Sequence, residues 1–210
     1  MKLSIVLFGL WLFCVQHVWG QKELSRTYFA EGIENISIDA NGVHSLNVVA
    51  AKVEEISVSV HLEGETSEEI VIKEQLENNQ LALGFSSWPL AKTYNDKLSA
   101  HKIISVAVTL SIPEHLFVSI TSNTTAVFAE GTFKSLSVDI EDEICVLQDF
   151  NGDATLKTNR GTILVLVQNK STSAKATTTY GTLENTLSKY GIFTIYAESV
   201  HGNISLQQTQ

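Results

Sequence analysis

Apolar and polar positions alternate along most of this chain. Ile36, Ile38 and Ala40; Leu46 and Val48; Ile56, Val58, Val60 and Leu62; Ile70 and Ile72; and Leu81 and Leu83 each keep a period of two. That is the period of a half-buried strand, and no stretch beyond Gln21 shows the three-and-four spacing of an amphipathic helix. Asn41-Gly42, Glu63-Gly64 and Asn78-Asn79 separate the runs with residues that accept positive φ. A longer alternating run, Ile104 to Ile112, ends at Pro113, one of two prolines in the chain. Between these runs, residues 84 to 101 break the alternation and form the longest expected connection, a length that in compact domains goes with function or disorder.

After Pro113 the runs become periodic. The triplets Leu116-Val118-Ile120, Leu136-Val138-Ile140, Ala154-Leu156-Thr158, Ala174-Ala176-Thr178 and Phe193-Ile195-Ala197 follow one another at nearly constant spacing. Gly161, Gly181 and Gly202 keep similar time. A repeat of about 20 residues with short strands and Gly corners predicts an all-β fold, a right-handed β-solenoid of stacked rungs. One inward column would then run through Val118, Val138, Leu156, Ala176 and Ile195, becoming smaller or more polar toward the C-terminus. Asp139 and Lys157 would face outward as neighbours on adjacent rungs. A β-sandwich is the structural alternative. The expected organisation is one elongated β domain over 21–210, with irregular strands at 28–112 and more regular rungs at 113–206.

The segment 1–20 does not follow this pattern. Lys2 precedes an apolar run from Leu3 to Val15, and Val18-Trp19-Gly20 resembles a cleavage site, so 1–20 reads as a signal peptide. The apolar run is too short for a transmembrane helix of about 20 residues. The expected product is an exported protein that begins at Gln21, in the periplasm or at the cell surface. The full chain sets 23 acidic residues against 14 basic ones, and loss of Lys2 with the leader widens the difference. That balance disfavours nucleic acid and anionic lipid as partners. Cys145 would be the only cysteine left, which excludes an intrachain disulfide and any metal site built on paired cysteines.

Leu81 and Leu83, then Val108 to Pro113, Val118 and Ile120, Phe133 with Leu136, Val138 and Ile140, Asn151 to Leu156, and Gly161 to Ile163 together resemble the putative-adhesin family of bacterial envelope proteins, the head-domain adhesin-like β-solenoids. The resemblance spans roughly positions 30 to 206. It implies an exported β-helical protein and brings no catalytic residues with it. Ser122 to Thr125 and Glu141 to Glu143 stand where that pattern has a Gly-rich corner.

Candidate chemistry is sparse. Glu141, Asp142 and Glu143 with Asp149 and Asp153 form the densest acidic group, and two carboxylates at fixed separation could cleave a glycoside; a solvated loop is the plainer reading. Asp149, Asn151 and Asp153 imitate the start of a calcium loop, but Arg160 stands at its twelfth position. The five histidines beyond the leader have no ligand spacing, no Ser lies in a nucleophile elbow, and the apolar surroundings of Cys145 oppose a reactive thiolate. No metal and no cofactor are expected. Asn35, Asn123, Asn169 and Asn203 match the N-glycosylation pattern, as chance allows in a chain rich in Ser, Thr and Asn. Phe85, Trp88 and Tyr94 in the 84–101 segment are the candidate ligand-binding residues, able to stack on a sugar ring or anchor a partner, unless they fold back over the core. The function expected from these observations is a non-enzymatic, adhesin-like or scaffolding protein of the envelope, with an envelope protein or a glycan as partner. The alternatives are a carbohydrate-binding module or a polysaccharide-active enzyme on a β-helix.

Overall fold

The computed structural model describes residues 22–63, 68–89 and 105–209, with backbone alone at 22, 68–70 and 87–89. The expected signal peptide lies outside these residues. The alternating runs become strands throughout: β1 (Lys22–Phe29), β2 (Asn35–Asp39), β3 (Ser45–Ala51), β4 (Glu55–Glu63), β5 (Glu68–Glu77), β6 (Gln80–Pro89), β7 (Ser105–Pro113), β8 (Phe117–Ser122), β9 (Ala126–Ile140), β10 (Cys145–Thr158), β11 (Ile163–Val167), β12 (Thr172–Thr178), β13 (Leu183–Asn185), β14 (Phe193–Ser199) and β15 (Ile204–Gln208). No helix occurs among the described residues, so none there is long and apolar enough to cross a membrane.

All fifteen strands join in one open sheet. It consists of two ladders that share β9 and β10. The first runs β1-β4-β7-β3-β9-β10-β11-β15-β13, and the second runs β5-β6-β2-β8-β9-β10-β14-β12. The long strands β9 and β10 bend between the ladders near Gly131 and Gly152, whose φ values of +100° and +138° suit glycine. Three pairings are antiparallel, β1 with β4, β4 with β7 and β5 with β6. The rest are parallel, unlike the antiparallel ladders from which a sandwich is built. Alternate residues of both ladders enter one hydrophobic core.

The parallel registers place side chains in columns. Ile36, Val118, Leu136, Ala154, Ile195 and Ala174 form one, and Ile38, Ile120, Val138, Leu156, Ala197 and Ala176 form the next. The five residues expected in one column therefore divide between two adjacent ones. Val138, Leu156 and Ala176 share a column, whereas Val118 and Ile195 belong beside it. Asp139 does pair with Lys157, as the spacing predicts.

The order of the units also departs from the sequence. β14 and β15 insert between the 151–167 unit and β12–β13, so the outermost unit is not the last in the chain. At the other end β2 and β3 insert between β6–β7 and β8–β9. The chain thus returns to fill a place beside a unit laid down earlier or later.

The third column explains the Thr- and Ser-rich corners. Ser122, Ile140, Thr158, Ser199 and Thr178 align, and the hydroxyls satisfy the backbone of the turn that follows. Thr158 Oγ1 donates to the Gly161 carbonyl at 2.8 Å, Ser199 Oγ accepts from the Gly202 N–H at 2.8 Å, and Thr178 Oγ1 accepts from the Gly181 N–H at 3.1 Å. The glycines stack in the same altered order. A Cβ on Gly202 would lie 1.7 Å from the Gly161 carbonyl oxygen, and one on Gly181 would lie 2.0 Å from that of Gly202. Where the Gly-rich pattern fails, Thr125 Oγ1 lies 2.8 Å from the carbonyls of both Ala40 and Val43, and Glu143 adopts φ +81°.

Candidate functional site

The corner at which the chain passes from the first ladder to the second is built from the ends of β3 and β7, the bends of β9 and β10, and the turn after β11. An open groove of about 850 Å³ lies there, lined by Lys52, Glu114, Glu130, Asp149, Gln168 and Asn169 among others. It crosses five units. At about 4.8 Å per strand, four steps give a length of roughly 19 Å. The bulge in β10 between Gln148 and Phe150 makes Asp149 an extra residue with φ +50°, which turns it out of the ladder into the groove lining. Asn169 Nδ2 donates to Asn151 Oδ1 at 3.3 Å, joining two successive units. Phe133 and Phe150, both fully buried, stack with centroids 5.5 Å apart in the core.

Three carboxylates, several amides and one ammonium can bind hydroxyls, amides or cations through water-accessible contacts. Among the described residues, no three His, Cys, Asp or Glu side chains gather as a metal site would require. The sequence contained a sign of this groove, since Glu130, Asp149 and Gln168 are evenly spaced along the chain, one unit apart. Strand alternation hides that sign, because the polar corner residues fall outside the apolar triplets used to find the repeat.

Of the remaining acidic candidates, Glu141 and Asp142 at the opposite corner and Asp153 on β10 have structural partners. Asp142 receives two hydrogen bonds from Arg160, from Nε at 2.6 Å and Nη2 at 2.5 Å, and Glu141 Oε2 accepts from Asn159 Nδ2 at 3.0 Å. The guanidinium holds the Asp142 carboxyl below its ordinary range. Asp153 Oδ1 accepts the Thr194 N–H at 2.8 Å and so fastens β14 to β10. Cys145 is fully buried, and desolvation pushes its thiol up to about 12.

The aromatic candidates separate. Gly84 to Pro89 is strand β6 rather than loop, and Phe85, only 8% exposed, packs into the core instead of facing a ligand. Trp88 pairs through its backbone with Glu69 in the β5–β6 hairpin, and Tyr94 lies outside the described residues.

No family model and no curated protein matches the chain. Among solved structures, it shares its fold with a putative cell adhesion protein from Clostridium sporogenes, at TM-score 0.68 and 18% identity, over 90% of this chain and 100% of that one. A putative adhesin from Bacteroides fragilis aligns over 90% of this chain and 98% of its own, at TM-score 0.39 and 10% identity. The Clostridium protein, with which the fold is shared, carries a cell-adhesion name.

Proposed function

We propose that this chain is an exported, non-enzymatic, adhesin-like module of the bacterial cell envelope, and that its two ladders are the flanks of a right-handed β-solenoid. It works by holding a partner, an envelope protein or a glycan, along its surface. The observation that carries this reading is the corner groove, whose hydrogen-bonding groups recur from unit to unit across roughly 19 Å. A surface of that kind suits an extended ligand better than a single reacting bond. The fold shared with a putative cell adhesion protein supports the same reading. Of the acidic residues 141–143, 149 and 153, Asp142, Glu141 and Asp153 are held by structural partners, which disfavours these three as a general acid.

The test combines a glycan array and a pull-down from envelope extract with an assay of polysaccharide cleavage. A saturable ligand without new reducing ends or unsaturated products is the expected result. Turnover by the purified protein would overturn the non-enzymatic reading, and failure to retain any envelope component would overturn the adhesin-like one.

A further inference from the structure

The outward positions of the first ladder are polar at both ends and apolar in the middle. Register places Thr109, Asn47, Phe128, Val146, Leu164, Ser205 and Glu184 in succession across the face. Phe128 is 39% exposed on a strand whose alternate residues Val127 and Ala129 are buried, so its ring stands on the outer surface by the geometry of the pleat. Three other exposed rings have a partner, whereas Phe29 and Tyr190, 81% and 87% exposed, have none among the described residues. Phe117 lies under the Lys134 ammonium at 4.5 Å, Tyr196 under that of Lys175 at 5.6 Å, and Tyr180 stacks on His201 at 4.8 Å. Among the described residues Phe128 has no such cover. A shallow depression of about 320 Å³ surrounds it, lined by Asn47, Phe128, Ala129, Glu130, Val146 and Gln148. Glu130 also lines the corner groove, so depression and groove meet at that residue.

We propose that this depression is a glycan-binding site, in which Phe128 is the platform for the apolar face of a pyranose ring while Asn47, Glu130 and Gln148 hydrogen-bond its hydroxyls. An exposed ring beside amide and carboxylate groups matches the two surfaces of a sugar, one of C–H bonds and one of hydroxyls. The site selects neutral sugars. Glu130 stands in the depression, and Glu114 and Asp149 lie in the adjoining groove against a single Lys52, in a chain of net charge −9, so uronates and sulfated glycans are repelled. A chain longer than one sugar continues past Glu130 into the groove. The proposal rests on the adhesin-like reading and gives that reading a ligand class and an address.

The experiment is affinity electrophoresis of the purified protein in gels containing a soluble β-glucan, an α-mannan, a galactan or N-acetylglucosamine oligomers, with alginate as the anionic comparison. Wild type, Phe128→Ala, Glu130→Gln and Phe117→Ala are run together, and circular dichroism verifies that each is folded. The expected result is retardation by at least one neutral glycan and none by alginate. Phe128→Ala should bind about tenfold more weakly or worse, and Phe117→Ala as wild type. Glu130→Gln should bind the neutral ligand more weakly than wild type, since it replaces a charged acceptor of the site, and lose part of the discrimination against alginate. Equal retardation of wild type and Phe128→Ala would remove the site while leaving adhesion standing. Capture of an envelope protein with no retardation by any neutral glycan would overturn this proposal alone, whereas absence of every ligand would overturn both readings.

Discussion

The middle of the sheet and its C-terminal end solve the same packing problem with different residues. In the middle, each unit has a neighbour on both sides, and Val118, Ile120, Leu136 and Val138 are buried to 3% exposure or less. At the end, the same two columns pass through Ile195 and Ala197 to Ala174 and Ala176 in the edge strand, and Leu183, Tyr190 and Ile192 are exposed. The difference follows from neighbours rather than from strand propensity. A unit covered on both sides removes a branched side chain fully from water, at about 25 cal/mol for each Å² of apolar surface. An outermost unit covers only one side, so a large apolar residue there stays half wet. The end therefore relies on hydroxyls and glycines, which fix the turns through Thr178, Ser199, Gly181 and Gly202.

Charge burial should separate the two regions most sharply. Val138→Asp places a carboxylate between Ile120 and Leu156 with no cation in the column. The cost of several kcal/mol is comparable to the whole stability of a domain, and the variant is expected to lose its cooperative urea transition by circular dichroism. Ala176→Asp, in the outermost unit, should fold and lose about 1 kcal/mol or less. Equal damage from the two would erase the distinction between middle and end.

Corner geometry gives the next effect. Gly202→Ala drives a methyl against the Gly161 carbonyl at the C-terminal corner, and a cost of about 1 to 3 kcal/mol is expected from the forced shift. Gly84→Ala in the N-terminal hairpin meets nothing closer than 3.9 Å and should leave the denaturation midpoint almost unchanged. A tolerated Gly202→Ala would mean that the stacked corner relaxes freely.

The thiol of Cys145 reports on the middle alone. Its folded value of about 12 stands above the unfolded value of 9.0 because burial disfavours the thiolate. The group therefore contributes stability in full below pH 9.0, and loses it progressively as pH rises toward about 12. Native protein should react with a disulfide reagent only at its rate of unfolding, and Cys145→Ser should alter the alkaline limb of the stability profile. Rapid labelling under native conditions would contradict the buried position.

The smallest effect belongs to the exposed pair of Asp142 and Arg160. Arg160 lowers the Asp142 value, so any stabilisation is present above the ordinary carboxylate range and fades as pH falls through the depressed one. Asp142→Asn should produce a slight loss at neutral pH that shrinks with added salt. A large, salt-insensitive loss would show that this corner carries more of the fold than its exposure implies.

Alternation, the regular repeat after Pro113, the all-β class and the glycine corners were all legible in the amino-acid sequence, because strand pleat and tight turns act on residues close together in the chain. The hydroxyl column was partly legible too, in the recurrence of Thr158, Thr178 and Ser199 three positions before a glycine. The site was much harder to read. Phe85, Trp88 and Tyr94 drew attention because they are aromatic residues near a long connection, yet Phe85 follows Leu81 and Leu83 into the core by the same alternation. Phe128 sits in an ordinary strand, and nothing local distinguishes it from a buried ring except its place in the two-residue period. The order of the units was decided by tertiary structure alone. Backbone ladder bonds are the same for any pair of parallel strands, so they do not specify that β14 lies between β10 and β12 or β2 between β6 and β8. That choice depends on which apolar columns fit together across long separations in sequence, and the groove and the exposed ring of Phe128 exist only after it has been made.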